Sequence, residues 1–336
     1  MLPRVSRTFA INIRLLRGAL GEAVRVGYLL CRIADTLEDA WPGSAPEIGG
    51  RFDRLSMALD GDRGAAAGLA RDAAAALASG AVTPAPGRGG GAPAEFELLA
   101  GLPRVLAAFE TLPAHDRECV AECVRTLSSG MRRYATRSAA RSAGAPYLDD
   151  ESELHDYCWI VAGCVGVMLT RLFAARAPAD AAHEAHRLAL APVVGEALQL
   201  TNILLDWPAD IRRGRCHVPG AWLGEWALAP RDLVTSGRAG VAELAARLEA
   251  LARAALARVP DYLDLIPARH VRYRLFCLWP ALWAAGSLRH ARRDPEFPWG
   301  PRRPRLPRRE IWGAALGSLL VAHDPRATRR LVLAEA

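Results

Sequence analysis

The stretch ALQLTNILLDWPADIRRGRCHVP, residues 197–219, decides how the rest of the chain is read. Leu198, Leu200, Ile203, Leu204 and Trp207 recur at the spacing of a helix that packs into a core. Gln199, Asn202, Asp206 and Asp210 recur at steps of three and four, so all four side chains can share one face of that helix. A polar stripe on so apolar a helix needs partners, because a buried carboxylate is costly unless it is paired or bound to a metal. Pro208 interrupts the pattern. A proline inside a helix removes a hydrogen bond and bends it, which puts Asp210 past a kink. Arg212, Arg213 and Arg215 follow at once. Carboxylates beside guanidinium groups suit a diphosphate bridged by metal ions, and from spacing alone they suit a surface salt-bridge network equally well.

Upstream, YLLCRIADTLEDA at residues 28–40 repeats the theme. Leu29, Leu30, Ile33 and Leu37 continue the preceding helical pattern, and Asp35 and Asp39 lie four apart on one face with Glu38 adjacent. Like charges so placed repel by a few tenths of a kcal/mol, roughly, on a bare helix, and a cation reverses that cost. Hard divalent ions take oxygen ligands, magnesium commonly one or two carboxylates plus substrate phosphates. Taken alone, the pattern equally describes a solvated acidic helix end. Two such stripes are a stronger sign. Facing each other across a helical bundle, they can hold metal ions and clamp a diphosphate leaving group from both sides. An allylic cation released there needs shielding from water and aromatic faces to steady it. Phe9, Tyr28, Tyr157, Trp159, Phe173 and Phe276 are available, although each taken singly reads as core.

The remaining composition narrows the field. Long Ala-, Leu- and Arg-rich segments with helical periodicity dominate 336 residues, and strand signals are sparse, so an all-α fold is expected. One domain spanning 1–336 is expected, with a flexible Gly/Pro/Ala-rich loop at about 80–93 and a basic, proline-rich segment at about 292–309. The formal net charge is +7, and every one of the 43 Lys and Arg residues is arginine. The lack of lysine excludes Schiff-base catalysis and a P-loop lysine. Arginine's planar fork pairs with two phosphate oxygens at once, so the charge suits an anionic ligand or membrane surface. Charge alone leaves nucleic acid open; with the motifs pointing to a diphosphate, no nucleic-acid partner is expected. Seven dispersed cysteines without a CxxC pair read as reduced, buried thiols. The eight histidines form no ligand cluster, which disfavours a zinc hydrolase. No uninterrupted apolar run reaches the roughly 18–20 residues of a bilayer span. Arg4, Arg7 and Arg14 break the layout of a secretory signal. A cytoplasmic location without a transmembrane segment is expected.

The motifs in order resemble the squalene/phytoene synthase family. VSRTF at Val5–Phe9 is similar to that family's opening, YLLCRIADTLED to its first aspartate-rich motif, DYCWIVAGCVG at Asp156–Gly166 to its YCxxVAGxVG element, and EALQLTNILLDWPADIRRGR to its second aspartate-rich motif. The matches run from residue 5 to about 310. Within the family, the DTLED form and FCLWPALWAAGSL at residues 276–288 are similar to squalene synthases. The stretch RPRLPRREI, Arg303–Ile311, is similar to the basic segment that takes the NADPH phosphate there. Two positions depart: Leu205 stands where the family usually has an arginine, and His217 where many carotenoid-type members have tyrosine.

What the resemblance implies is an isoprenoid-synthase-type helical bundle around a central cavity. It also implies head-to-head condensation of two farnesyl diphosphates through a cyclopropyl, presqualene-type diphosphate, then NADPH-dependent reduction to squalene. Asp35, Glu38, Asp39, Asp206 and Asp210 would hold Mg2+. Ser6, Arg7, Phe9, Arg32, Gln199, Asn202 and Arg215 would bind substrate, Arg305 and Arg308 NADPH. Tyr157 and Phe276 would be catalytic, the first in proton transfer and the second beside the cation. The rival within the family is a dehydrosqualene or phytoene synthase without NADPH. Outside it, the rival is a helical lipid- or protein-binding protein without catalysis. A product so apolar makes peripheral contact with a membrane an expectation.

Overall fold

A computed structural model describes residues 11–80, 92–142, 144–300 and 303–335. Ser6, Arg7 and Phe9, most of the segment at 80–93, and residues 301–302 of the basic segment lie outside the described residues. The described residues contain helices and turns and no strand, so the all-α expectation is met. They form two compact units, described residues 11–142 with 171–177, and described residues 144–170 with 178–335.

The first unit contains α1 (Gly18–Asp39), α2 (Ala45–Leu59), α3 (Arg63–Ala78), α4 (Ala92–Ala100), α5 (Leu102–Glu110) and α6 (Ala114–Ala140). Its core forms where α1 and α2 lie on α6, with α4 and α5 closing on α1. Leu30, Ile33 and Leu37 of α1 are buried, as are Val120, Val124 and Leu127 of α6. Alternating three- and four-residue steps put each set on one stripe, as a core-facing helix requires. The end of α1 is pinned. Arg51 of α2 donates to the carbonyls of Trp41 at 2.7 Å and Pro42 at 3.2 Å and lies 4.3 Å over the Trp41 ring. At the start of α2, the Glu47 carboxylate accepts from the Ser44 hydroxyl and backbone N–H, both at 2.7 Å, which holds it below the usual carboxylate range.

In the second unit α7 (Glu151–Cys158) runs through a π-helical turn (Trp159–Gly163) into α8 (Cys164–Ala174), whose last residues belong to the first unit. The axis of the unit is α9 (Ala181–Arg212). Around it stand α11 (Val241–Leu256), α12 (Val259–Asp264), α13 (Val271–Arg293) and the π turn, followed by α14 (Arg308–Val321) and α15 (Pro325–Glu335) against α13. A short helix, α10 (Gly220–Glu225), precedes α11.

Glycines set how closely α9 meets the segment before it. A Cβ on Gly195 would sit 2.2 Å from the Ala162 carbonyl oxygen, and one on Gly166 only 2.3 Å from that of Ala191. Real side chains do not fit there. The small residues of the VAGCVG element are therefore a packing requirement of this crossing. Below it, the buried Arg274 donates to the carbonyls of Leu263, Ile266 and Ala322 at 2.6–2.7 Å, joining the ends of α12 and α14. The indole of Trp279 donates to Ser318 at 2.9 Å and fastens the inner face of α14 to α13.

The polar interruptions expected to preclude a spanning segment do not break the helices. Glu151–Ala174 and Ala181–Arg212 reach mean hydropathies of 1.7 and 1.5 over a span-length window, of which 56% and 44% is buried within the protein. By length and composition both pass for membrane spans, a test that core helices also pass.

Candidate active site

On α1 the first acidic stripe stays helical to Asp39, as its periodicity requires. Glu38 points inward and is buried, while Asp35 and Asp39 are half-buried. Arg32, one turn before, lies 3.3 Å from Asp35 and also pairs with Glu95 of α4. Thr36 returns its hydroxyl to the Arg32 carbonyl at 2.8 Å. A helix therefore presents Arg32, Asp35 and Asp39 together, with Glu95 fixing the guanidinium from the side. A surface recess of about 520 Å³ in the same unit, lined by Trp41, Glu47, Arg51, Arg54 and Asp72, includes none of the predicted site residues.

The second stripe lies wholly on α9, which continues through Pro192 and Pro208 to Arg212. The helix continues past Pro208 and keeps Asp210 within it, because the proline costs one backbone bond while the flanking side chains stay packed. Leu205 and Trp207 are buried, and the Trp207 indole donates to the Leu233 carbonyl at 3.1 Å. Along the stripe, exposure falls from Asn202, which is exposed, to Asp206 and Asp210 at 8% and 7%. The stripe thus descends from solvent into the protein.

Nitrogen-bearing side chains converge on it from three places. Arg303 reaches back from the basic segment and sets one guanidinium nitrogen 2.9 Å from Asp206 and the other 3.2 Å from the side-chain Oδ1 of Asn202. Arg213 stands 3.6 Å from Asp210 on the local turn. His217 Nδ1 also stands 3.6 Å from Asp210, and its Nε2 is buried without a hydrogen-bond partner among the described residues. The imidazole packs against Tyr147 and Tyr157, ring centroids 5.0 and 5.2 Å away. Arg215 lies 5.5 Å over Tyr147. Arg212 is turned away: it donates to the carbonyls of Trp299 at 2.7 Å and Gly300 at 3.1 Å and so anchors the chain just before Arg303. Gln199 is half-buried one turn before Asn202.

The structure thus gathers Asn202, Asp206, Asp210, Tyr157 and Arg215 at one end of α9 and around the loop after it. Phe276 lies on α13, buried and stacked on Tyr273 at 6.1 Å. Arg305 and Arg308 are exposed on the basic segment, and Trp159 is exposed on the π turn. Ser6, Arg7 and Phe9 fall outside the described residues. Sequence reading passed over Arg303, although it quoted the stretch that contains it, and passed over Tyr147 altogether. It noted His217 as a departure without giving it a place beside Asp210.

Among the described residues no three His, Cys, Asp or Glu side chains gather into a metal site by themselves. Each stripe alone offers two or three oxygen donors. That suits a hard cation that takes one or two carboxylates and completes its shell with phosphate oxygens and water. The Arg303 contact shows that Asp206 draws positive charge. The cysteines are not ligands of such an ion. Cys216 near Asp210 is pushed up to about 12 by burial, and so is Cys277, while burial raises Cys158 still further. They stay protonated and inert, as their dispersed spacing suggests.

The all-helical fold is one that solved structures share. A squalene synthase, TcSQS, in complex with the ligand E5700 superposes with a TM-score of 0.73 at 20% identity, covering 99% of this chain and 95% of that one. A dehydrosqualene synthase in complex with ligand gives 0.59 at 19% identity over 93% and 90%. The squalene/phytoene synthase family model matches residues 2–310, and the chain belongs to that family. Human squalene synthase is 26% identical over 300 residues, 85% of this chain and 61% of its own length. The 15-cis-phytoene synthase of Enterobacter agglomerans is 38% identical over 93 residues, 27% of this chain and 29% of its own length. The 4,4'-diapophytoene synthase of Staphylococcus haemolyticus is 44% identical over 85 residues, 25% and 28% of the respective lengths. The chain thus spans less than two thirds of each of these curated relatives.

Proposed function

We propose that the chain is a magnesium-dependent prenyltransferase. It would couple two farnesyl diphosphates head to head through a cyclopropyl, presqualene-type diphosphate and reduce that to squalene with NADPH. The observation that carries this is the buried Asp206–Asp210 stripe, ringed by Arg303, Arg213 and His217, in a chain of this family. Burying two carboxylates on one helix face costs several kcal/mol, roughly, unless cations offset it. A diphosphate–metal ligand is what such a stripe and its arginines are built to receive.

Asp35, Glu38 and Asp39 on α1, and Asp206 and Asp210 on α9, would each hold Mg2+, and Gln199 and Asn202 would complete the second polar face. Bound there, the metal supplies Lewis-acid stabilisation of a departing diphosphate. Arg7, Arg32 and Arg215 hold phosphate oxygens and share the charge as it develops. By the family resemblance, Ser6 and Phe9 would also bind substrate. Tyr157, oriented by its packing on His217 and Tyr147, passes the proton lost from the coupled chain to the released diphosphate. When the cyclopropyl intermediate loses its own diphosphate, Phe276 would present a ring face to the cation so formed. Arg305 and Arg308 would bind the NADPH phosphate, and NADPH would supply the hydride.

The second reading is a dehydrosqualene or phytoene synthase, favoured by Leu205 in the place of an arginine and by the carotenoid-type relatives. Farnesyl diphosphate and Mg2+ are incubated with the protein, with and without NADPH, and the products identified. Squalene formed only with NADPH supports the first reading, and a dehydrogenated product in both tubes replaces it with the second. If no prenyl diphosphate is consumed, the catalytic reading gives way to a lipid- or protein-binding one. Tyr157→Phe should stall the first half-reaction by about a hundredfold or more, and cyclopropyl intermediate formed at the normal rate would remove Tyr157 from it.

A further inference from the structure

The helix α14 leaves one face uncovered. Its inner side is fixed to α13 by the Trp279–Ser318 bond, with Ala315 buried beside it. Its outer side carries Trp312, Leu316, Leu319 and Leu320, which are 51%, 62%, 47% and 77% exposed. Steps of four, three and one place these four on a single stripe. Gly313 and Gly317 lie beside them, and a Cβ at either would meet nothing within 4 Å, so the face is open. Scattered exposed leucines are ordinary on a protein surface. A contiguous apolar row on one helix is not, and it marks a binding surface.

Charge says what covers it. Arg308 and Arg309 are exposed in the first turn, and Arg309 stands three residues before Trp312 at the head of the apolar stripe. The one acid of the helix, Glu310, is occupied by His290 at 3.0 Å and Arg289 at 3.9 Å. From Ile311 to Ala322 no charged residue occurs. The neighbouring α15 adds exposed Arg326, Arg330 and Leu333. An apolar stripe headed by arginines, with tryptophan at the junction and no exposed acid, is the pattern of a helix lying in a bilayer interface among anionic headgroups.

We propose that the outer face of α14 docks this protein on an anionic phospholipid surface, with Trp312, Leu316, Leu319 and Leu320 entering the acyl boundary and Arg309 meeting lipid phosphates. None of these residues has a part in the proposed reaction, so the inference does not depend on it. The test is co-sedimentation of the whole chain with vesicles of phosphatidylglycerol and phosphatidylcholine, compared with phosphatidylcholine alone. Binding to the mixed vesicles is expected, weaker by about tenfold or more on the neutral ones. The double variant Leu316→Asp/Leu320→Asp, at positions already in solvent, should keep the wild-type melting temperature and lose about tenfold or more of the binding. The inference is overturned if the wild type stays in the supernatant with anionic vesicles, or if the double variant sediments as the wild type does. It is equally overturned if light scattering shows that the face pairs two copies of the chain, with vesicle binding absent.

Discussion

The two acidic helices meet the same problem, carboxylates of like charge on one face, in different ways. On α1, Asp35 and Asp39 remain half-exposed, and water and Arg32 of the same helix temper their repulsion. On α9, Asp206 and Asp210 are buried, and one of their counter-charges comes from far along the chain, Arg303 standing 97 residues beyond Asp206. A half-exposed charge is solvated whether or not a ligand is present. A buried one depends on its partners. The α9 stripe should accordingly be the more demanding of the two, both for the fold around it and for any cation it accepts.

The largest expected effect tests that ranking in catalysis. Asp206→Asn should lower turnover of farnesyl diphosphate by about a thousandfold or more, with the helical circular dichroism unchanged. Asp35→Asn should cost about ten- to a hundredfold. Equal losses would show that burial does not rank the two stripes, and a folded Asp206→Asn protein with normal turnover would falsify the metal role of Asp206.

Next in size is a contrast in packing. Gly195→Ala places a methyl group 2.2 Å from a backbone oxygen that cannot step aside, and it should destabilise the protein by about 3 kcal/mol or prevent folding. Gly50→Ala on α2, where nothing lies within 4 Å, should leave stability unchanged or raise it by about 0.5–1 kcal/mol. Urea denaturation of both variants reads the difference. A Gly195→Ala protein as stable as the wild type would mean that the α9 crossing is looser than its geometry.

The smallest effect concerns the distant counter-charge. Arg303 is a partly exposed partner, so its pairing with Asp206 is worth about 1 kcal/mol or less. Arg303→Ala should therefore tighten Mn2+ binding to the diphosphate-free protein by about two- to fivefold, read by calorimetric titration. An unchanged or weaker affinity would show that Arg303 does not compete with a metal for Asp206.

Much of this molecule can be read from its residues. Apolar spacing foretold α1 running to Asp39 and the helix carrying Gln199 to Asp206, because helical period and core-facing stripes are local properties that neighbours a turn apart impose on one another. The same spacing placed Asp35 with Asp39 and Asp206 with Asp210 on common faces, and scattered cysteines announced inert thiols. The reading faltered where the outcome depended on residues far apart in the chain. Pro208 by itself promises a bend, and that α9 nevertheless runs on to Arg212 depends on neighbours such as Trp207 and Leu205, which are held by packing. Among the arginines after the stripe, Arg212 is drawn to the carbonyls of Trp299 and Gly300, and Arg303 takes the place beside Asp206. The tight crossing at Gly166 and Gly195, and the bare row on α14, likewise exist only once helices are stacked. Periodicity tells which side of a helix is polar or apolar; only tertiary packing decides which distant charge answers a buried carboxylate and which apolar face is left without a neighbour.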